Sequence, residues 1–582
     1  MLRHVFGRIG IICLLSLLCV AVPAPAAEDT IVGIWYGELA LPDGATLRLA
    51  LEIAPRADGT FGADLISLDQ GADGSPSVQV SFDDPAIRLE FRPPSVVVAG
   101  ELVEGGQAME TEFQQGGFRA PVSFRRVDHL PGFVTRWQNP DRPFPYNEEE
   151  IQFAGGAAGV TLAGTLTLPT GTGPHPAALL VTGSGPQGRD ELIGYHRPFL
   201  VLADYLTRRG IAVLRYDDRG VGQSTGDFPA ATTADLAADA LAGLTYLRSR
   251  NDIDANLVGI VGHSEGGMIA PMVAAQSPDV SYIVLLAGPG IPILDLMLEQ
   301  HGLFALEAGA TQEQAEALRQ VFRVIYEALN TETDENAVYG RSQAYFDGLD
   351  ETARTSLGWT RGTLNDVIAS RLTPWWRYFL RFDPAVYLTQ TTCSVLAVNG
   401  DHDLNVTASE NLAGIDQTLR RAGNTDVTCR EFAGLNHMLN RSPVALPGDS
   451  LGRGETINSE VLDLVGNWIQ RRTGLADPGT AVADHGAALP EELTLAQNYP
   501  NPFNPSTTIH YQLDRAGWVT LTVYDPAGQR VTELAAGNQP AGSFSVSWDG
   551  HNEAGQPVAS GLYLYELRVG EHRSMRKMLL MK

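Results

Sequence analysis

The sequence contains only four cysteines among its 582 residues. Two of them, Cys13 and Cys19, lie in an apolar N-terminal segment, which leaves Cys393 and Cys429 for the rest of the chain. Each of these two residues begins a predicted strand of one sheet. A disulfide between them and a pair of small buried thiols both agree with this placement. No His or Cys cluster has the spacing of metal ligands, so the sequence predicts no metal site.

Positive charge is also scarce. Lys and Arg together number 41 against 68 Asp and Glu, and the formal net charge is −27. Because a surface that binds the phosphate backbone should be basic, this balance argues against nucleic acid as a partner. The acidic surface favours solubility and suits a saline or extracellular setting. With 44% hydrophobic and 19% charged residues, the chain is expected to be globular and long enough for several domains.

Long hydrophobic runs are absent except at the N-terminus. An apolar run over residues 9–22 follows Arg3 and Arg8 and precedes small residues at 24–26. This is the pattern of a secretory signal peptide, and the run is shorter than the roughly 20 residues that a membrane span needs. The sequence therefore predicts a signal peptide at residues 1–27, an exported protein and no transmembrane span.

Two segments are predicted to be β domains. Residues 28–130 contain strand-like runs separated by turn signals, as at 31–39 and 46–53, and predict a small antiparallel barrel or sandwich. This segment carries no cluster of chemically useful residues, so packing against the next domain is favoured over binding a substrate or a surface. Residues 475–492, rich in Ala, Gly, Asp and Pro, predict a linker, and residues 493–582 again alternate as β-strands do.

Between these segments, residues 131–474 alternate apolar strands with helical patterns. A hairpin-like segment at 160–168 comes first. The strand-like runs that follow are residues 177–181, 212–214, 257–261, 282–286, 395–398 and 427–432. Their alternation with helices predicts a mostly parallel sheet joined by crossover helices. Strand signals vanish between about residues 291 and 381, where helical segments predict an inserted cap.

The segment Gly262-His263-Ser264-Glu265-Gly266 predicts a nucleophile turn. It follows the apolar run at 257–261 and precedes small and apolar residues at helical spacing. A sharp strand-to-helix turn of this kind exposes the central serine at the edge of a sheet, and the flanking glycines let strand and helix approach closely. A second Gly-x-Ser-x-Gly, around Ser224, lies in a polar loop with no strand entering it. Context therefore favours Ser264 as the nucleophile.

A serine nucleophile needs a histidine to take its proton and a carboxylate to orient that histidine. On an α/β sheet the two come from later strand ends, in the order acid and then histidine. His437 follows the run at 427–432 and is the predicted base. His402 competes, but it sits in the loop that must supply the acid. His263, inside the turn, is expected to point into the scaffold.

Two aspartates, Asp401 and Asp403, follow the run at 395–398. Asp403 lies further out on the loop and is favoured as the acid; the other carboxylate would cap the loop. The oxyanion needs backbone donors, and the N–H of Glu265, directly after the nucleophile, should be one. The N–H of Ser184 or its neighbour, in the glycine-rich loop after residues 177–181, is the expected second donor. A plain glycine turn is the alternative there.

Five motifs together resemble bacterial carboxylesterases of the α/β-hydrolase fold, nearest those preceded by a small β domain. They are GSGPQGRDE at residues 183–191, DDRGVGQS at 217–224, GHSEGG at 262–267, PWWRYFL at 374–380 and LNH at 435–437. The resemblance implies Ser264 as nucleophile, Asp403 as acid, His437 as base, short or medium acyl esters and no cofactor. This chain departs from the family at Gly188, where an aspartate is usual. An acyl-pocket lining and cap packing are equal alternatives for the aromatic residues of PWWRYFL, which are Trp375, Trp376, Tyr378 and Phe379.

The C-terminal segment is similar to type IX secretion sorting domains, which have an immunoglobulin-like fold. The resemblance rests on LAQNYPNPFNP at residues 495–505, VYD at 523–525, WDG at 548–550 and ASGLYLY at 559–565. It implies recognition by secretion machinery and export through the periplasm and outer membrane, with release or attachment at the cell surface.

The expected fold class is thus an α/β-hydrolase domain with a helical cap, between an N-terminal antiparallel β domain and a C-terminal immunoglobulin-like sandwich. A secreted serine carboxylesterase is the leading hypothesis. A serine peptidase or aminopeptidase of the same fold is the alternative, and it would need carboxylates such as Asp190, Glu191 and Glu265 to hold a substrate amine. A non-catalytic surface-binding protein, the remote alternative, predicts a broken triad, whereas all three triad positions are occupied by suitable residues.

Overall fold

The computed structural model of the protein describes residues 31–475 and 494–581, with gaps inside both ranges. The gaps are residues 43, 57, 69–74, 93–94, 129, 131–137, 141, 194–195, 352–353, 355–356, 442–454, 496–497, 499–502, 504–506, 514–516, 527–528, 540–541, 553–555 and 570–571. The predicted signal peptide and most of the predicted linker lie outside the described residues. The chain divides into two compact units, Met1–Thr473 and Gly474–Lys582.

The first unit begins with a closed barrel of eight antiparallel strands. The strands are β1 Gly33–Ala40, β2 Thr46–Pro55, β3 Phe61–Ser67, β4 Ser75–Asp83, β5 Ala86–Phe91, β6 Val96–Val103, β7 Ala108–Gln115 and β8 Phe118–Val127. Pairing of β1 with β8 closes the ring. Alternate residues along each strand face inward, and Trp35, Leu51, Leu89 and Phe124 are fully buried inside. The sequence left two alternatives for this segment, a barrel and a sandwich, and the structure is a barrel.

An eight-stranded sheet follows in the same unit. Its strands are β9 Asn147–Ala154, β10 Thr161–Leu168, β11 His175–Val181, β12 Ala212–Tyr216, β13 Ile253–His263, β14 Tyr282–Leu286, β15 Ser394–Gly400 and β16 Val427–Phe432. They are arranged in the order β16-β15-β14-β13-β11-β12-β10-β9. Strand β10 is antiparallel to both neighbours and the remaining pairs are parallel. The predicted hairpin at 160–168 is corrected: that segment is one strand, which forms its hairpin with β9 upstream.

Helices connect the strands of this sheet, and one more helix follows the last strand, β16. They are α1 Pro198–Thr207, α2 Thr233–Arg248, α3 Gly266–Gln276, α4 Ile293–Glu307, α5 Gln312–Thr331, α6 Glu335–Gly348, α7 Arg361–Ala369, α8 Pro374–Phe379, α9 Ala385–Leu388, α10 Ala408–Arg421 and α11 Ser459–Thr473. Helices α1, α2, α3, α10 and α11 contact the sheet. Helices α4–α9 lie between β14 and β15, and α4–α8 fall where the sequence predicts the cap. A reciprocal bond between Thr311 and Gln314 caps α5, the longest of them.

The parallel register of β15 and β16 keeps the two remaining cysteines apart. Ala397 pairs with Cys429, whereas Cys393 lies four residues earlier, just before β15. At about 3.3 Å per residue this offset is about 13 Å, well beyond the roughly 7 Å that a disulfide can bridge. Both thiols are free. Burial raises the pKa of Cys393 to about 12 and that of Cys429 to about 11, so both stay protonated and unreactive.

The second unit is a sandwich of two antiparallel sheets. One sheet contains β17 Thr494–Leu495, β18 Thr507–Leu513 and β21 Gly542–Trp548. The other contains β20 Arg530–Gln539, β19 Gly517–Tyr524, β22 Gly561–Val569 and β23 His572–Leu580. Its core includes Trp548, Tyr565 and Leu521. The expected fold class is confirmed: in chain order, an antiparallel β domain is followed by an α/β-hydrolase domain and then by an immunoglobulin-like sandwich. No helix in the described ranges has both the length and the apolar character needed to cross a membrane.

Candidate active site

Ser264 occupies a strained turn between β13 and α3. Its φ is +52°, a left-handed conformation that serine rarely adopts. The flanking glycines make this turn possible. A Cβ on Gly262 would lie 2.0 Å from the Gly266 carbonyl oxygen, and a Cβ on Gly266 would lie 2.1 Å from the carbonyl oxygen of Val181. The backbone N–H of Ser264 donates to the Leu286 carbonyl at 2.9 Å, which ties the turn to β14.

His437 and Asp403 complete a hydrogen-bonded relay with Ser264. His437 Nε2 lies 3.1 Å from Ser264 Oγ, and His437 Nδ1 lies 2.8 Å from Asp403 Oδ2. The Asp403 side chain is fully buried, and its other oxygen accepts backbone N–H groups from Asn405 and Val406. These bonds hold the carboxylate in one orientation, so the structure brings all three predicted triad residues together.

The loop that carries His437 has its own brace. The side-chain oxygen of Asn436 accepts the backbone N–H of Met438 at 3.0 Å, and Asn436 is almost fully buried. This bond closes a short turn around His437. It gives a structural role to the asparagine of the LNH motif, which the sequence alone did not explain.

The competing residues have other positions. Asp401 Oδ1 accepts the backbone N–H of Gly434 at 2.6 Å and therefore caps the loop after β16. The His402 side chain is 66% exposed. Ser224 in the second Gly-x-Ser-x-Gly is buried, donates to the Asp217 carbonyl and accepts the N–H of Ala163. That serine joins two segments of the scaffold.

The loop of residues 183–191, named the oxyanion loop below, begins beside Ser264, the predicted nucleophile. A Cβ on Gly183 would lie 3.3 Å from Ser264 Cβ. The N–H of Gly183 is already used, because it donates to Glu191 Oε1 at 2.7 Å. The next amide along the loop is that of Ser184, the predicted donor. Glu265, the other predicted donor, is the N-cap of α3, so its N–H stands at the first turn of that helix.

Two aspartates after β12 hold the oxyanion loop. Asp217 receives a bidentate pair of bonds from Arg189, at 3.0 and 2.8 Å, and Asp218 accepts the backbone N–H of Gln187 at 3.0 Å. The motifs GSGPQGRDE and DDRGVGQS, which the sequence shows as separate signatures, therefore bind each other. Gly188, the departure from the family pattern, faces the barrel: a Cβ there would lie 3.0 Å from Pro76.

Sequence reasoning missed the role of Glu191. This residue is fully buried with a φ of +53°, and its Oε1 lies 2.8 Å from His263 Nδ1. His263 Nε2 lies 3.0 Å from the carbonyl oxygen of His437. His263 points into the scaffold, as predicted, but there it contacts the catalytic loops. The last position of GSGPQGRDE was the signal that could have identified Glu191.

The Glu265 side chain is buried beneath the cap. Its Oε1 accepts the Thr233 hydroxyl at 2.6 Å and the indole N–H of Trp375 at 2.8 Å. Burial raises the pKa of Glu265 to about 7. Glu265, directly after Ser264, therefore connects the turn to α2 and to cap helix α8.

The four aromatic residues proposed for the pocket have different surroundings. Trp375 reaches the nucleophile turn through Glu265 and stacks on Phe379, with ring centroids 4.4 Å apart. Trp376 stacks on Tyr326 of α5, and the hydroxyl of Tyr378 lies 3.4 Å from that of Tyr387 in α9. Phe379 is buried. Trp375 therefore has the most direct connection to the turn, while the others pack within the cap and against α9.

Comparison with known families gives two matches. The model of the X-Pro dipeptidyl-peptidase (S15) family matches residues 158–425, which is less than half of the chain. The model of the FlgD Ig-like domain matches residues 504–571. Within the described ranges, no group of three His, Cys, Asp or Glu side chains is arranged to hold a metal ion.

Among curated proteins, the chain is similar to esterase EstD of Thermotoga maritima, with 25% identity over 368 residues, 62% of this chain and 78% of the relative. Among solved structures, it is similar to Pyrococcus furiosus esterase Pf2001, with 15% identity, 56% and 94% coverage of the two chains and a TM-score of 0.34. It is also similar to the α/β-hydrolase GrgF of a Penicillium species, with 14% identity, 56% and 99% coverage and a TM-score of 0.35. The chain is a hydrolase with the α/β-hydrolase fold.

Proposed function

We propose that the protein is a secreted serine carboxylesterase that hydrolyses short- to medium-chain carboxylic esters through an acyl-enzyme. The hydrogen-bonded relay of Ser264, His437 and Asp403 at a strained strand-to-helix turn carries this proposal. The esterase relative supports the choice of ester as substrate. The acyl length is an expectation from the motif resemblance described above.

In the proposed mechanism, Ser264 Oγ attacks the ester carbonyl while His437 Nε2 takes its proton. Asp403 stabilises the imidazolium that forms, and the alcohol leaves with the proton that His437 returns. The negative oxygen is held by the N–H groups of Glu265 and Ser184; such donors are typically worth on the order of 10²- to 10³-fold in rate. Water, activated by the same histidine, then releases the acid and restores Ser264.

A serine peptidase of the same fold is the alternative, and the match to the S15 family model is the observation in its favour. An aminopeptidase needs a free carboxylate pair for the substrate amine. Each of the candidate carboxylates Asp190, Glu191 and Glu265 already accepts hydrogen bonds from the protein itself. Asp190 is paired with two arginines, and Glu191 and Glu265 are buried in the scaffold, which supports the ester as substrate.

The test is hydrolysis of p-nitrophenyl esters of increasing acyl length beside aminoacyl-p-nitroanilides. Wild-type ester turnover that disappears in Ser264→Ala would support the proposal and rank the acyl lengths. Ser224→Ala is the matched control, because it removes the serine of the other Gly-x-Ser-x-Gly motif and should retain turnover. Turnover of anilides alone would move the assignment to a peptidase. Absence of both activities would overturn the proposal and favour the surface-binding alternative.

Export is part of the proposal. A signal peptide at residues 1–27 would direct the chain to the periplasm, and residues 493–582 would be recognised by type IX secretion machinery. The alternation of this segment and its NPFNP and SGLYLY motifs support that role. Expression in a bacterium that has this machinery, with and without residues 493–582, tests it. Esterase activity should reach the medium or cell surface with the full chain and stay in the periplasm without the segment; equal export of both would contradict the proposal.

A further inference from the structure

His263 lies between two hydrogen-bond acceptors. Its Nδ1 faces Glu191 Oε1 at 2.8 Å, and its Nε2 faces the backbone carbonyl of His437 at 3.0 Å. A neutral imidazole carries one N–H and can donate only once, whereas an imidazolium donates from both nitrogens. Both short contacts can therefore be hydrogen bonds at the same time only if the His263–Glu191 pair carries one extra proton. The reference is an ionised carboxylate beside a neutral imidazole.

The extra proton belongs on the ring. Glu191 Oε1 also accepts the N–H of Gly183 at 2.7 Å, so this oxygen already acts as a hydrogen-bond acceptor and is placed to accept a second N–H from His263 Nδ1. Burial is the largest single influence and lowers the pKa of His263, but the charge and hydrogen bond of Glu191, together with the His437 carbonyl and Asp403, raise this pKa above its ordinary value. Asp403 acts in the same direction from the loop after β15. The ring of His437, with its centroid 5.0 Å away, is the other titratable group that faces it.

This pair connects two loops whose relative position must stay constant during catalysis. Glu191 holds the start of the oxyanion loop through Gly183, next to the predicted donor Ser184. His263 holds the residue that carries the catalytic imidazole. Both groups are at least 95% buried, so water does not compete freely for these bonds.

We propose that His263, as an imidazolium paired with Glu191, is a positioning residue that holds the oxyanion loop and the His437 loop at a fixed separation. This inference rests on the proposed function, because it concerns the geometry of the same reaction. It predicts that kcat falls on the alkaline side when His263 loses its proton, since one of the two bonds must then break.

A matched pair of substitutions separates the two bonds. In His263→Asn the amide nitrogen can take the place of Nδ1 and keep the contact with Glu191, whereas in His263→Gln it can take the place of Nε2 and keep the contact with His437. Each variant keeps one bond and loses the other. Both should lower kcat by on the order of 10- to 100-fold with little change in KM, because the catalytic groups are misplaced rather than removed. Both should also lack the alkaline fall.

Glu191→Gln tests the pH profile of kcat, which would not change if His263 had a purely structural role. It keeps the side-chain shape but removes the negative charge that favours the imidazolium. The alkaline fall of kcat should therefore shift to lower pH by about one unit or more. The matched controls are His402→Asn and His402→Gln, the same changes at an exposed histidine, which should reproduce the wild-type profile. Thermal unfolding of every variant shows whether it is folded.

Nitrogen-15 NMR of the full chain labelled at histidine gives a second readout, with the His263 signals identified by their loss in His263→Gln. Two protonated ring nitrogens at pH 7 are expected. A ring with one protonated nitrogen, or wild-type kcat and pH profile in the Asn and Gln variants, would overturn the proposal. Failure of the proposed function is distinguishable: the wild type would then hydrolyse no ester, while the NMR result would still report the charge of His263.

Discussion

Asp401 and Asp403 are two residues apart, yet their carboxylates face different groups. Asp403 bonds to the imidazole of His437, whereas Asp401 bonds to the backbone N–H of Gly434. Because both side chains are aspartates on one loop, only the position of the partner loop distinguishes them. An asparagine at either position keeps the size and one acceptor oxygen, which makes a matched experiment possible.

Asp403→Asn is expected to lower kcat on the order of 10³- to 10⁴-fold, because an amide no longer stabilises the imidazolium and can favour the wrong tautomer. Asp401→Asn keeps an oxygen to accept the N–H of Gly434 and should stay within roughly threefold of wild type. Steady-state ester kinetics measures both. A larger loss in Asp401→Asn than in Asp403→Asn would contradict the assignment of the acid.

Glu265 makes stability depend on pH. Its pKa is about 7 in the folded protein, where burial disfavours the charged form, against an ordinary value of 4.5. A group whose pKa is higher in the folded than in the unfolded state stabilises the fold at low pH. This contribution is complete at pH values below the unfolded pKa, and it is lost as the pH rises through the folded pKa. Between about pH 4 and pH 8 the free energy of unfolding should therefore fall by on the order of 3 kcal/mol from this residue.

In Glu265→Gln this part of the pH dependence should vanish, because an amide does not titrate. Urea unfolding of wild type and variant across that pH range measures the free energy of unfolding of each protein. As the pH rises, the free energy of unfolding of the variant should increase relative to that of wild type. Glu316→Gln, at an exposed residue of the cap, is the control. Parallel curves for wild type and Glu265→Gln would contradict the pKa of the buried carboxyl.

At the scale of elements, the nucleophile turn depends on close backbone contact. Strand β13 and helix α3 approach so nearly at Gly262 that a methyl group there would lie 2.0 Å from a carbonyl oxygen. The positive φ of Ser264 is a strained backbone conformation, and it is maintained only because the strand and the helix stay this close. The turn is therefore a property of the strand, the helix and both glycines together.

Gly262→Ala is expected to abolish ester turnover and to destabilise the fold by about 1–3 kcal/mol or more, because overpacking forces the backbone to move. Gly340→Ala in α6 is the control, since no atom beyond the adjacent backbone of its own helix lies within 4 Å of the added Cβ. Alanine also suits a helix better than glycine by about 1 kcal/mol. Ester turnover and thermal unfolding would measure both variants; an active Gly262→Ala would show that the turn tolerates a side chain.

At the scale of the first unit, the barrel contacts the catalytic domain through charge. Arg197, just before α1, bonds to Glu52 and Asp64 of the barrel and to Asp190 of the oxyanion loop. The guanidinium is largely buried, with 13% of its side chain exposed. The barrel therefore helps to hold the loop that contains Ser184, the predicted oxyanion donor, which agrees with the expectation that it packs against the next domain.

Arg197→Gln should destabilise the fold by about 3–5 kcal/mol, because it leaves the neighbouring carboxylates of Glu52 and Asp64 without the guanidinium that they share, whereas Asp190 keeps its ion pair with Arg215. It should also lower kcat about tenfold, since the oxyanion loop loses one of its anchors. Arg119→Gln removes an exposed barrel ion pair with Glu112 and should change stability by no more than about 1 kcal/mol. Equal stability and kcat in the two variants would contradict a role for the barrel in holding the loop.

By itself, the sequence determined the features that depend on neighbours along the chain. The strand positions follow from apolar runs, the nucleophile turn from glycines around Ser264, and the order of acid and histidine from strand ends. These features depend on local propensity and on side-chain periodicity, which the sequence displays directly. The fold class of all three domains was predicted in the same way, together with resemblance to known families.

Only the tertiary structure decided which of two aspartates bonds to His437, why His263 and Glu191 are buried together, and why the two cysteines remain free. These outcomes depend on strand register and on contacts between residues 34 to 174 positions apart. No periodicity encodes such contacts, because they arise only when the sheet brings its strand ends to one edge and its loops meet there. The charge of a buried group follows from the same meeting, since its partners set its pKa.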